Sequence, residues 1–287
     1  MRPTRHSICL AAAIALASFT EGSAAADQEP LVLGVVPQQS AKEILARWAP
    51  LATFLEERLG QPVALQVSPD IPSFEACVAA GAYDIAYMNP FHYTTYHDLV
   101  GYEGIAHRAE KRLKGIMVVA ADSPMQALSE LDGEKIAFPS PGAFAASVVQ
   151  RAELNEQGIG YEPVYVRSHV SVYKTVAQGI FPAGGGIQRT LNALEPDLRA
   201  KLRVIHTTTG YTPHAFAVHP RVSGETSAEI AGLLAGLAAE QPDIAAGLAI
   251  GAIVPADDAS WDDVRSLDIT AEHAGLALDP APLDRCR

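Results

Sequence analysis

Residues 168 to 191 read SHVSVYKTVAQGIFPAGGGIQRTL: a Ser-His pair, a helix-like run ending at Gly179, then three glycines that read as the opening of a second helix. The first N–H groups of a helix have no intrahelical acceptor and sit at the positive end of its dipole, so such a start binds an anion without a cationic side chain. Bare backbone at Gly184 and Gly185 leaves room for a ligand, or a facing part of the protein, to come within hydrogen-bond distance. The same glycines suit a plain tight turn before a helix. His169 stands where an imidazole can donate to an anion, and Ser168 is placed to cap the helix that follows. Three more stretches follow strand-like runs and precede helix-like ones: PQQS (37 to 40), MNPFHY (88 to 93) and PSPGAF (139 to 144). They supply amides, hydroxyls and free N–H groups, the donors that hold an oxyanion.

Other chemistries find less support. No G-x-S-x-G elbow, HExxH run or paired-Cys motif occurs, so no catalytic residue is assigned. His92 and His97 do not share a helix face, and His214 and His219 point to opposite faces of one strand, so no metal or other cofactor is expected. A formal net charge of −12 argues against nucleic acid or an anionic membrane surface as partner. Small anions are bound locally and escape that argument.

The elements that must position these groups alternate. Arg2 and Arg5 precede the apolar run ICLAAAIALASF and an Ala24-Ala25-Ala26 site, the pattern of a secretory signal peptide over residues 1–26, cleaved before Asp27. The expected location is therefore the periplasm. Export would allow Cys77 and Cys286 to pair if they meet in space, and two free thiols remain the alternative. LVLGVVP, VALQV, YDIAYM, GIMVVA, EKIAFP, YEPVYV, LRVIHTT and HAFAVHP read as strands, with helical spacing between most of them. That order predicts an α/β protein of two lobes, each a mostly parallel sheet flanked by helices, with the ligand cleft between them. Residues 27–112 form the first segment of lobe 1, 113–213 lobe 2, and 214–287 the return to lobe 1 with C-terminal helices.

Taken in order, LVLGVVPQQS, AAGAYDIAYMNPFHY, GIMVVAADSPMQALSELDGEKIAF, YVRSHVSVYKTVAQG and TTGYTPHAFAVHP resemble the periplasmic substrate-binding proteins of the phosphate, phosphite and phosphonate transport family. These are two-lobed, type II periplasmic binding proteins, and the likeness runs over about residues 31 to 255. The resemblance implies lobes that close around a small oxyanion. The partner is then an ABC permease or the periplasmic sensor domain of a histidine kinase, and the protein is expected to act as a monomer. Position by position it implies ligand contacts from Gln38, Gln39 and Ser40, from Asn89 and Tyr93, from Ser140, Ala143 and Phe144 at the oxyanion helix, and from His169.

Two departures from the family pattern bear on the ligand. The usual Ser/Thr-rich turn at the oxyanion helix is here Ser140-Pro141-Gly142-Ala143-Phe144. The usual G-x-x-D-A is here Gly179-Ile180-Phe181-Pro182-Ala183, which removes a carboxylate. With the glycine N–H groups of Gly184 and Gly185 taken to stand in its place, the expectation is a fully deprotonated or differently shaped anion rather than one that needs a carboxylate for a proton or an ammonium. A thiaminase-like transferase on the same scaffold would need an activated nucleophile, and Cys77 falls within an apolar helix. A sulfonate or other organic ligand resting on an aromatic wall is the second alternative.

Overall fold

The computed structural model describes residues 29–109, 112–267 and 269–286. The expected signal peptide lies outside the described residues. In chain order the elements are β1 (Leu31–Val35), α1 (Ala41–Leu59), β2 (Val63–Val67), α2 (Ile71–Ala79), β3 (Ile85–Met88), α3 (Pro90–Val100), β4 (Glu103–Arg108), β5 (Gly115–Ala120) and β6 (Glu134–Phe138). A π-helical turn, Phe144–Val148, then leads directly into α4 (Val149–Glu156). It is followed by β7 (Tyr161–Tyr165), α5 (His169–Ala177), β8 (Ala183–Ile187), α6 (Gln188–Asn192), α7 (Pro196–Arg199), β9 (Leu202–Thr207), β10 (Ala215–Val218), α8 (Gly224–Glu240), α9 (Pro242–Leu248) and β11 (Ile253–Pro255).

Two sheets result, one of six strands in the order β11-β4-β10-β3-β1-β2 and one of five in the order β7-β6-β8-β5-β9. The chain leaves the first sheet after β4, builds the second, and comes back as β10. Both sheets are mixed rather than mostly parallel, and the crossings are the reason. β1 pairs in parallel with β2 and β3, whereas the returning β10 enters between β3 and β4 and runs antiparallel to both. In the second sheet β6 is parallel to β7 and β8, while β5, arriving from the other sheet, is antiparallel to β8 and β9. The outgoing and returning segments touch at Leu113 and Tyr211, which exchange both backbone hydrogen bonds at 2.7 and 3.0 Å. Such a paired waist between two packed sheets is where rigid-body rotation of one against the other would concentrate.

Burial follows the strand period. Met117 and Val119 enter one core on one face of β5, with Ile136, Phe138 and Leu154, and Ile116 and Val118 enter another on the opposite face, with Val172, Tyr173 and Val176. The first sheet has the larger core, which also takes in Ala143 to Ala146, Val148, Val149 and Ile187 from the second, so apolar packing is continuous across the waist.

Residues 183 to 187 are a strand, not the start of a helix. Gly184, Gly185 and Gly186 spend their backbone on β5, and Gly184 also faces Ala137 of β6. The helix opens only at Gln188, after the sheet ends. A Cβ at Gly185 would lie 2.0 Å from the carbonyl oxygen of Ala146, and one at Gly115 on the neighbouring strand 2.0 Å from that of Ala145. The two glycines thus make a bare floor on which the π-helical turn rests. Close backbone approach is the right chemistry for the run, but the approaching group is this turn and not a ligand.

Cys77 and Cys286 are joined in a disulfide, their Cα atoms 5.6 Å apart. No helix among the described residues is long and apolar enough to cross a membrane. Likewise, among the described residues no group of three or more His, Cys, Asp or Glu side chains is placed to hold a metal ion.

Candidate functional site

The two sheets meet over a small inner cavity and a larger outer cleft. The inner cavity, about 10 Å³, is lined by residues of both sides, among them Gln38, Asn89, Ala143 to Ala146, His169 and His214. That is room for about one water molecule. The outer cleft, about 660 Å³, shares Leu113, Ile187 and His214 with it.

The helical start beginning at Phe144 supplies the backbone donors. Its first intrahelical bond runs from Ser147 N–H to Ala143 C=O at 2.7 Å, so the N–H groups of Phe144, Ala145 and Ala146 precede it and have no acceptor within the helix. The turn and α4 form one continuous helical stretch, whose dipole adds positive character at that end. Asn89 holds the start in place across the waist: its Oδ1 accepts from the N–H of His92, capping α3, and its Nδ2 donates to the Gly142 carbonyl at 3.0 Å.

His169 opens α5, which Ser168 caps by accepting from the N–H of Ser171. The ring is buried, and its Nε2 has no hydrogen-bond partner although it lines the cavity. Burial, aided by the nearby Arg189 charge, pulls its pKa down to about 3, so the imidazole is neutral and offers one donor or one acceptor. His214 is also buried and held well below the usual histidine range, by burial first and by the Arg189 charge second. Gln38 connects it to that charge. Arg189 can only donate, so it faces the amide oxygen of Gln38, and the amide nitrogen then donates to His214 Nε2 at 2.9 Å.

These neutral histidines make a pH prediction. A histidine whose folded pKa lies below its unfolded value near 6.5 binds fewer protons in the folded state, so stability is full above that value and is lost as pH falls toward the folded pKa. Urea midpoints should therefore drop between pH 6.5 and pH 4. Replacing His169 by Gln should flatten the dependence by up to about 1.4 kcal/mol per pH unit. An unchanged slope in His169→Gln would mean the ring is not held neutral by burial.

The outer cleft is cationic. Arg47 of α1, Arg108 of β4, Arg112 and Lys114 of the outgoing crossing and Arg189 of α6 line it, with Gln39, Tyr87, Gln188 and Asn192, and among the described residues no carboxylate is in the lining. Arg112 is neutralised by Asp263. Among the described residues no carboxylate pairs with Arg47, Arg108, Lys114 or Arg189. Burial holds Arg189 below the usual guanidinium range; Tyr87 opposes this, and the like charges of Arg47 and Arg108 add to it. Tyr87 is pushed up by burial, and the charges of Arg189 and Arg108 pull it the other way.

Of the residues that sequence singled out, Gln38, Asn89, Ala143, Phe144 and His169 come together at the inner cavity, and Gln39 lines the outer cleft. Ser40 does not join them: it caps α1 in a reciprocal box with Glu43 and is exposed. Tyr93 lies on another face of α3, its hydroxyl donating to Asp258 and accepting from the N–H of Gly104, its ring against Trp261. Ser140 is buried with an unpartnered Oγ and does not line the cavity. Gly184 and Gly185 lie within β8, so their N–H groups do not stand in for the missing carboxylate. Asp70, which caps α2, and Glu162, which pairs with Lys135 on the exposed side of β7, do not line the cavity or the cleft either. Sequence reasoning weighed His214 only as a metal ligand and passed over the cations. The basic stretch KRLK at 111 to 114, just ahead of a strand that leaves one sheet for the other, was the available signal.

A two-lobed α/β scaffold with a donor-rich, cation-lined cleft at its waist defines a solute-binding protein. The chain belongs to the family described as "ABC transporter, phosphonate, periplasmic substrate-binding protein", whose model matches residues 33–261. Among curated proteins it is similar to the "Phosphate-import protein PhnD" of Mycolicibacterium smegmatis, 24% identical over 210 residues, which are 62% of this chain and 64% of that protein. Its fold is that of the binding-protein component of an ABC phosphonate transporter from Pseudomonas aeruginosa, with a TM-score of 0.74 at 16% identity over 90% of this chain and 95% of that one. PhnD1 from Prochlorococcus marinus, solved in complex with methylphosphonate, has a TM-score of 0.74 at 15% identity over 83% of this chain and 96% of that one.

Proposed function

We propose that the protein captures a phosphorus oxyanion, phosphate or a simple phosphonate, in the periplasm and presents it to an ABC permease, with no chemical change to the ligand. The observation that carries this is the cleft lining: among the described residues it holds five cations and no carboxylate, in a chain whose net charge is −12. Random placement on so acidic a chain would mix the signs. The phosphoryl head belongs where the two spaces join, against the free N–H groups at Phe144 to Ala146, with His169 and the Gln38 amide beside it and Arg189 behind. A head larger than a water enters the inner cavity only when the lobes part, so binding is coupled to rotation about the Leu113–Tyr211 waist. The family membership and the methylphosphonate complex of the Prochlorococcus relative support the same ligand class.

The test is calorimetry of the purified protein, freed of carried-over ligand, with phosphate, phosphite, methylphosphonate and sulfate. At a hundredfold excess over its dissociation constant a ligand should also add about 2.7 kcal/mol of thermal stability. At least one phosphorus oxyanion should bind, and Arg189→Ala should weaken it at least about tenfold, the loss expected for a charge-assisted hydrogen bond. No binding by any phosphorus oxyanion would end the reading.

A further inference from the structure

A simple oxyanion leaves most of the outer cleft vacant and most of its charge unanswered. About 660 Å³ is the size that encloses a ligand of many atoms, within the ~300–1,000 Å³ usual for organic ligand sites. The four cations that no carboxylate among the described residues pairs with come from four different segments, α1, β4, the outgoing crossing and α6, and converge on this one space. Among the described residues Arg47 is tied only to the carbonyl of Gly247, and Arg189 to the amide of Gln38. Gathering like charges in a partly desolvated cleft is unfavourable unless an anion completes the set. One phosphoryl head at the helix start answers Arg189, whereas Arg108 at the end of β4 and Lys114 in the outgoing crossing belong to other segments of the lining. Among the described residues the same lining offers no carboxylate to a positively charged substituent.

We propose that the outer cleft selects phosphonates or phosphate esters whose substituent carries a second anionic group, a carboxylate or another phosphoryl, held by Arg47, Arg108 and Lys114. It discriminates against substituents that end in an ammonium. The proposal rests on the oxyanion reading above and adds a substrate class to it.

Three phosphonates with arms of similar reach separate the cases: 3-phosphonopropionate, anionic; propylphosphonate, neutral; and 2-aminoethylphosphonate, cationic. Methylphosphonate reports on the head alone. Calorimetric affinities at low salt should place 3-phosphonopropionate at least about tenfold tighter than propylphosphonate, with 2-aminoethylphosphonate weakest of the three. That preference should shrink when sodium chloride is raised to about 0.5 M, since part of the charge is solvent-exposed. In Arg108→Ala combined with Lys114→Ala, the ratio between the anionic and neutral arms should fall toward one. Equal affinity for the three arms, or a preference for the ammonium arm, with methylphosphonate bound, would overturn the proposal while the oxyanion reading stands. Failure of all four and of phosphate would overturn both, and the wild-type series decides this whether or not the double variant folds.

Discussion

Replacing Gly185 by Ala is expected to lower stability by about 3 kcal/mol, the upper part of the range for overpacked cores, and the thermal midpoint by roughly 10 °C. The added Cβ would sit 2.0 Å from the Ala146 carbonyl oxygen on one side and 2.7 Å from the Phe138 ring on the other. The first neighbour is backbone, so no rotamer change relieves it. Either β8 leaves its pairing with β5 or the π-helical turn lifts off the sheet. In the second case the N–H groups of Phe144 to Ala146 are displaced from the cavity, and affinity for the oxyanion should fall by at least about tenfold alongside stability, because such donors work only when pre-positioned. Gly232→Ala on α8 is the counterpart. Nothing lies within 4 Å of its Cβ position, so it should stabilise by about 0.5–1 kcal/mol through helix propensity alone. Denaturant melts of the two variants decide the matter. A Gly185→Ala protein as stable as wild type would mean the turn can shift freely, and the account of the bare floor would be wrong.

The same glycines show why part of the molecule is hard to read from its residues. A strand is recognised by side chains alternating between two environments, and Ala183 to Gly186 have almost none to alternate. Only their neighbours, the apolar runs of β5 and β6, reveal that a strand belongs between them. Two lobes and a cleft were legible because the alternation of apolar strands and capped helices is strong: Ser40, Asp70, Asn89, Ser168 and Ser223 all cap helices through their side chains. Those caps also explain two of the residues that do not reach the cavity or that share themselves with it. A polar residue at a helix start serves as cap or as ligand donor by the same chemistry, and only the facing of the element tells which. Asn89 caps with its oxygen and bridges the lobes with its nitrogen, while Ser40 only caps. The cationic wall was not legible for a different reason. Arg47, Arg108, Lys114 and Arg189 are spread over more than a hundred residues of sequence, and they converge because the chain crosses between sheets twice.

Loss of the Cys77–Cys286 disulfide, by reduction or by a paired Cys→Ala change, is expected to cost about 4 kcal/mol and roughly 10 °C in thermal midpoint. The bond closes a loop of 209 residues, for which the chain-entropy model gives about 5 kcal/mol and measured cases typically 2–4. Cys286 follows a segment that runs back over both lobes. The N–H of Ala277 donates to Glu75 at 2.9 Å and that of Ala281 to the Ala76 carbonyl at 3.0 Å, while the hydroxyl of Tyr96 donates to the Ala277 carbonyl. On the second lobe Arg151 bonds the carbonyls of both Ala274 and Pro141. Glu75 is fully buried, paired with His92 at 2.9 Å, and lies against Gly142, the residue whose carbonyl takes the Asn89 amide. Freeing the C-terminal segment therefore removes one partner from a buried carboxylate and one tether from the loop that leads into the helical start at Phe144. Reduction should then weaken ligand binding several-fold as well as destabilise, an effect through the loop rather than through any contact of either sulfur with the ligand. Melts and ligand titrations with and without reductant test both parts. A stability change below about 1 kcal/mol would show that the segment is held by its hydrogen bonds alone, and unchanged affinity in a clearly destabilised reduced protein would show that the loop at 139 to 143 does not depend on it.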